Sequence, residues 1–207
     1  MDLSIANGTN RIAILMQNIT AVRSFYKDKV LPVKLSLLCA IPATIGSIAG
    51  TYVVVNIPQT LLKKIVGVLL LVMAFFIIAK PSMWSGQKKE RLNVALIVLA
   101  FFGIGFYGGF IQAGVGFFFV FFTAVLLGLD LVRNNALKVF IVLLYTPFSL
   151  LIFLLNGKVQ PLAGVILGAG SMIGAQLGAK FAVKKGVNWL RYILLATVVA
   201  SGVSYLI

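Results

Sequence analysis

Histidine is missing from the 207 residues, and the chain holds only four carboxylates, Asp2, Asp28, Glu90 and Asp130. Without histidine the commonest general base and metal ligand is gone. Four acids, each near the end of an apolar run, leave little for a buried proton relay or a hard-cation cage. No Ser-His-Asp set, zinc spacing or phosphate loop can be assembled, so the sequence predicts no enzyme, no metal and no cofactor. The one cysteine, Cys39, lies inside an apolar run, which excludes an intrachain disulfide and a cysteine-based metal site. Met1 to Asn18 has no basic stretch ahead of an apolar core and does not read as a signal peptide.

What is abundant is apolar and basic. The chain is 61% hydrophobic with a mean hydropathy of +1.09, and several runs exceed the ~20 residues that a bilayer span needs. This predicts an all-α polytopic membrane protein, one transmembrane domain over residues 1–207, multi-pass in the plasma membrane. The 18 Lys and Arg give a net charge of +14. They fall in short loops between apolar runs, where they report topology and contact with anionic lipid, not nucleic acid.

The stretch 93–128 runs for 36 residues without a formal charge, too long for one span. Gly103, Gly105, Gly108, Gly109, Gly114 and Gly116 interrupt it. Glycine inside a helix costs up to about 1 kcal/mol against alanine, so the sequence predicts two segments meeting at an unwound centre around Gly108 to Gly116. Irregular backbone at membrane depth survives only where it is buried or lines a cavity, and in transporters such segments commonly hold the substrate. Further spans are expected at Leu3–Val22 (unusually polar), Val33–Val55, Leu61–Ala79, Val139–Leu155, Pro161–Val183 and Trp189–Ile207. Trp84 reads as an interfacial anchor.

Residues recur at an offset of 128: Asp2-Leu3 with Asp130-Leu131, Asn7 with Asn135, Phe25 with Phe153, Ile45-Gly46 with Ile173-Gly174, and Gly50 with Gly178. This predicts a duplication with repeat one at 1–80, a linker at 81–91 and repeat two at 92–207. The first repeat has no partner for 92–128 within the sequence. If the broken Gly-rich segment is re-entrant or a short hairpin, loops 23–34, 80–91, 129–138 and 180–191 share one side with four, four, two and four Lys or Arg. The richer side is cytoplasmic by the positive-inside rule. Three crossings per matched unit then turn the second copy over, giving two inverted-topology repeats.

Two constellations can hold an anion. Asn7, Thr9, Asn10 and Arg11 put amides and a cation at a segment start, and Asn134, Asn135 and Lys138 repeat the pattern in the second half. Capping and snorkelling are the plainer account of the same residues. The second constellation is Gly109, Gln112, Gly114 and Gly116, where backbone donors can approach a ligand and Gln112 adds a side-chain donor; the plainer account is tight helix packing. For Gly46/Gly50 and Gly174/Gly178, helix packing is the preferred reading.

The stretch G-F-Y-G-G-F-I-Q-A-G-V-G-F-F-F followed by G-L-D-L-V-R-N-N-A-L-K, together with A-N-G-T-N-R-I-A-I-L-M-Q-N near the start, resembles the TauE/SafE family. The resemblance spans essentially the whole chain. It implies about eight membrane segments in two related halves, with sulfite, sulfonates or similar small anions as cargo. Two features depart from the family pattern: the Gly-rich segment ahead of the first half is not seen, and Gln112 to Gly116 replaces a denser glycine run. The expected function is therefore a transporter of a small anion by alternating access, in contact with membrane lipid. Its rivals are a passive anion channel and a shortened, transport-inactive paralogue. In that case a partner, or another copy in a homo-oligomer, supplies the missing N-terminal segment.

Overall fold

A computed structural model describes residues 2–78 and 93–185, with 199–201 and 203. The predicted linker 81–91, Trp84 and most of the last expected span, 189–207, lie outside the described residues. Every described element is helical: α1 (Leu3–Lys27), α2 (Val33–Asn56), α3 (Gln59–Ile78), α4 (Val94–Phe110), α5 (Val115–Leu127), α6 (Leu131–Leu155) and α7 (Pro161–Lys185). Two of them are long and apolar enough to cross a membrane, Val33–Asn56 and Val132–Leu155, while Val94–Phe110 and Pro161–Gly174 are shorter apolar helices.

The ends of α1 and α6 are built alike. Asp2 caps α1, its carboxylate accepting from Ser4 N at 2.8 Å, and Asp130 caps α6, accepting from Val132 N and Arg133 N at 3.0 Å each. Such caps satisfy donors that the first helical turn leaves unpaired. At the other end Val30 N donates to Phe25 O and Lys29 N to Tyr26 O; in α6 Lys158 N donates to Phe153 O and Gly157 N to Leu154 O. Both are Schellman closures, with Lys29 (φ 57°) and Gly157 (φ 65°) in the left-handed conformation the motif requires. Helix starts, caps and closures all recur at the offset of 128 residues, and so do the starts of α2 and α7.

Packing repeats the relation. α1 lies against α6, while α2 lies along α6 as α7 lies along α1. α2 also runs along α4 in the most extensive contact of the fold. That seam is made of glycine. A Cβ at Gly46 or Gly50 would strike the backbone of Phe102 and Phe106, and one at Gly105 or Gly109 the backbone of Ala43 and Ser47. Gly164 and Gly168 of α7 face α1 mainly through side chains: their Cβ atoms would meet Ile12 and Met16 first, with the Thr9 carbonyl and the Ala13 Cα next. By contrast, a Cβ at Gly174 would meet no atom of the described residues within 4 Å.

Two boundaries differ from the sequence expectation. The chain unwinds only between Ile111 and Gly114, not across Gly108 to Gly116. Gly105, Gly108 and Gly109 stay helical because each allows a close contact, with α2 or with Tyr145, that offsets their low helix propensity. And α6 starts at Leu131, not Val139, so Arg133, Asn134, Asn135 and Lys138 are helical residues; the Asp130 cap starts the helix inside a polar stretch.

Candidate anion site at the break between α4 and α5

α4 ends at Phe110. Ile111 N and Gln112 N both donate to Tyr107 O, at 2.9 and 3.4 Å, and the Tyr107 hydroxyl crosses the turn to Ala113 O at 2.7 Å. Gln112 (φ 67°) and Gly114 (φ 70°) are left-handed, which reverses the chain. α5 then returns along α4: Tyr107 meets Phe118 edge-on with ring centroids 4.9 Å apart, and Leu96 and Leu126 line one apolar groove farther along. For Gln112, a residue with a Cβ, that backbone costs roughly 1–2 kcal/mol and is held only by its surroundings.

Those surroundings centre on Arg11, which is fully buried. Its Nη1 donates to Gln112 Oε1 at 2.6 Å, and its Nη2 to Gly109 O at 2.7 Å and to Asn7 Oδ1 at 3.4 Å. Its guanidinium carbon stands 5.6 Å from the centre of the Phe153 ring, in cation–π range. Asn7 adds a bond from Nδ2 to Phe110 O at 2.8 Å, and Tyr145 donates to Gln112 Oε1 at 3.0 Å. Thr51 donates to Gly109 O and to Ser149, which bonds Ser47 in turn. Every direct acceptor of Arg11 is neutral.

Beside the turn lies a cavity of about 610 Å³, within the range of small-molecule sites. Asn7, Asn10, Gln17 and Asn18 of α1, Gln112 of the break, Gly116 at the start of α5 and Lys138 of α6 form its polar wall; Leu62, Val66 and Leu70 of α3 form much of the apolar one. No described carboxylate lines it. The Lys138 side chain reaches the start of α5, its Nζ 4.0 Å from where a Gly116 Cβ would stand. An ammonium and a helix N-terminus share a sign, so together they favour a negative guest. Asn10 and Lys138 correspond at the offset of 128, as do Ile14 and Val142, and all four line the cavity.

Of the residues singled out in the sequence, then, Asn7, Asn10, Gln112, Gly116 and Lys138 surround one space. The others do not border it. Arg11 and Gly109 lie behind Gln112. Thr9 is buried with its hydroxyl accepting from Gln160 N at 3.0 Å. Asn134 is buried, Asn135 is half-buried, and Gly114 turns the backbone. Tyr145, Gln17 and Asn18 were not singled out. Tyr145 was findable: it follows Lys138 by seven residues, two turns along one helix face.

The sequence matches the family model described as "Sulfite exporter TauE/SafE" over residues 1–205. Among curated proteins it is similar to a probable membrane transporter protein of Haemophilus influenzae, 28% identical over 194 residues that cover 92% of this chain and 75% of the relative. The probable membrane transporter protein ORF9 of a Sinorhizobium species is 26% identical over 200 residues, 96% of this chain and 77% of that one. The probable membrane transporter protein YfcA of Escherichia coli K12 is 24% identical over 187 residues, 90% and 70% of the two chains. No solved structure matches.

Proposed function

The chain belongs to the sulfite exporter TauE/SafE family of membrane transporters, and from that premise we propose that it carries a small oxyanion, a sulfite or sulfonate, across the plasma membrane by alternating access. The observation that carries this reading is the cavity at the α4–α5 break, which has one polar wall of amides, has no described carboxylate and sets Lys138 against the start of α5. Asn10, Gln112 and Lys138 donate to the oxygens, Asn7 closes one side, and Lys138 and Arg11 balance the charge. The helix pair α1/α2 and its counterpart α6/α7 are two inverted repeats whose axis passes through the cavity, and the α4–α5 hairpin is re-entrant. The chain crosses the membrane several times and performs no chemistry on its cargo.

The test is uptake of radiolabelled sulfite and taurine into proteoliposomes, with counterflow to separate a carrier from a channel. Saturable counterflow in the wild type, lost in Asn10→Ala with the fold intact, is expected. Wild-type flux in Asn10→Ala and Lys138→Met refutes the assignment. A second reading, a subunit that binds a membrane partner, is favoured by Gly174: its counterpart Gly46 seats α4, whereas nothing among the described residues seats on Gly174. A monomer that transports by itself in liposomes excludes that reading.

A further inference from the structure

The side chain of Gln112 is fixed by chemistry as well as by packing. An arginine has only donors, so the Gln112 atom 2.6 Å from Arg11 Nη1 is the carbonyl oxygen. The same oxygen takes the Tyr145 hydroxyl at 3.0 Å, which leaves the amide no freedom to flip. Its nitrogen carries no bond to the described residues, and Gln112 lines the cavity. Arg11 and Tyr145 do not line it. Arg11 is fully buried, meets no carboxylate among the described residues and gives its Nη groups to Gln112, Gly109 and Asn7, while its Nε has no partner among them.

We infer that Arg11 and Tyr145 form an orienting clamp that presents only the N–H groups of Gln112 to the cavity, and so selects cargo whose facing atoms are hydrogen-bond acceptors alone. The inference rests on the transporter reading above and narrows its substrate class. The guest is a fully ionised sulfonate or sulfite head; a protonated acid or an amide brings a hydrogen to a wall that has no acceptor at Gln112. A cation bonded to the amide oxygen also strengthens its N–H donors, so the charge of Arg11 acts through Gln112 without touching the cargo. Arg11 and Tyr145 are positioning residues. The clamp also accounts for the left-handed backbone of Gln112, which α1 and α6 hold in place by the side chain.

The test compares methanesulfonate with methanesulfonamide, near-isosteric ligands of which only the second brings N–H donors, by thermal shift and equilibrium binding on the full chain in detergent. In the wild type, methanesulfonate binds and the sulfonamide does not. Tyr145→Phe removes one of the two bonds holding the amide and is expected to weaken methanesulfonate about 3- to 10-fold, the worth of one hydrogen bond. The sulfonamide stays unbound, because Arg11, which can only donate, still holds the amide oxygen. A merely structural defect lowers the unliganded melting temperature as well. Gln112→Glu keeps one oxygen on Arg11 and Tyr145 and turns the other to the cavity; methanesulfonate binding is lost while the unliganded melting temperature holds or rises, since Arg11 gains a counter-charge. Wild-type methanesulfonate affinity in Tyr145→Phe, or in Gln112→Glu, overturns the clamp and leaves the transporter reading standing. No anion binding in the wild type overturns both.

Discussion

Two alanine substitutions on one helix should move stability in opposite directions. Gly105 and Gly103 both lie within α4, two residues apart. A Cβ at Gly105 falls against the backbone of Ala43, with the Ala43 Cα only 2.6 Å away, and backbone cannot swing aside as a side-chain tip does. Overpacking of this kind costs about 1–3 kcal/mol. A Cβ at Gly103 meets nothing among the described residues within 4 Å, so Gly103→Ala keeps only the propensity gain of about 0.5–1 kcal/mol. The propensity gain is common to both, so the two variants should differ by the overpacking cost alone, about 1–3 kcal/mol, or roughly 2–12 °C in melting temperature at 2–4 °C per kcal/mol for a chain of this size. The assay is thermal unfolding of purified variants in one detergent, followed by fluorescence-detected size exclusion. Gly105→Ala as stable as Gly103→Ala refutes the glycine seam and, with it, the close approach of α2 to α4.

Other perturbations separate the site from the scaffold. Lys138→Met should weaken a sulfonate-induced thermal shift by about tenfold in Kd, the equivalent of 1.4 kcal/mol, without lowering the unliganded melting point; an equal shift in both proteins removes Lys138 from the site. Thr9→Val removes the bond from the Gln160 amide and should cost about 0.5–1.5 kcal/mol of stability with anion affinity unchanged, as read by paired melts and titrations. Asp2→Ala and Asp130→Ala each remove an N-cap and should cost about 1 kcal/mol apiece, similar values being the mark of equivalent positions in the two halves.

Much of the helix layout could be read from the chain because its signals are local. The spans expected from Leu3, Val33, Leu61 and Pro161 correspond to α1, α2, α3 and α7, and the recurrence at 128 residues reappears in the starts of α1 and α6 and of α2 and α7, although α6 itself was expected only from Val139. The glycines misled in one respect. Propensity sees six weak helix formers in α4 and its turn, whereas Gly105 and Gly109 are helical because another backbone, distant in sequence, lies against them. Polarity misled at Asn134, Asn135 and Lys138, which look like a loop until the Asp130 cap is given its weight. At the candidate site, residue types were readable and roles were not. Arg11 is a plausible ligand in sequence, but a sequence does not say which of its donors are spent, and Gln112, Gly109 and Asn7 take them.

The glycine seams also set the mechanics of the molecule. Helices that meet through long side chains can slide as rotamers change; helices that meet backbone to backbone have nothing to rotate. α2 and α4 therefore move as one plate; α1 and α7 form a second, looser one, since Gly164 and Gly168 meet mainly the Ile12 and Met16 side chains. The cavity lies where α1 of one plate faces the α4–α5 turn carried by the other. Any movement that widens it must part the plates, and the bonds that cross that line are few and named: Arg11 to Gly109 and Gln112, and Asn7 to Phe110. The latch of the moving parts is thus also the wall of the cavity, and a guest that draws on Gln112 or Asn7 pulls on both at once.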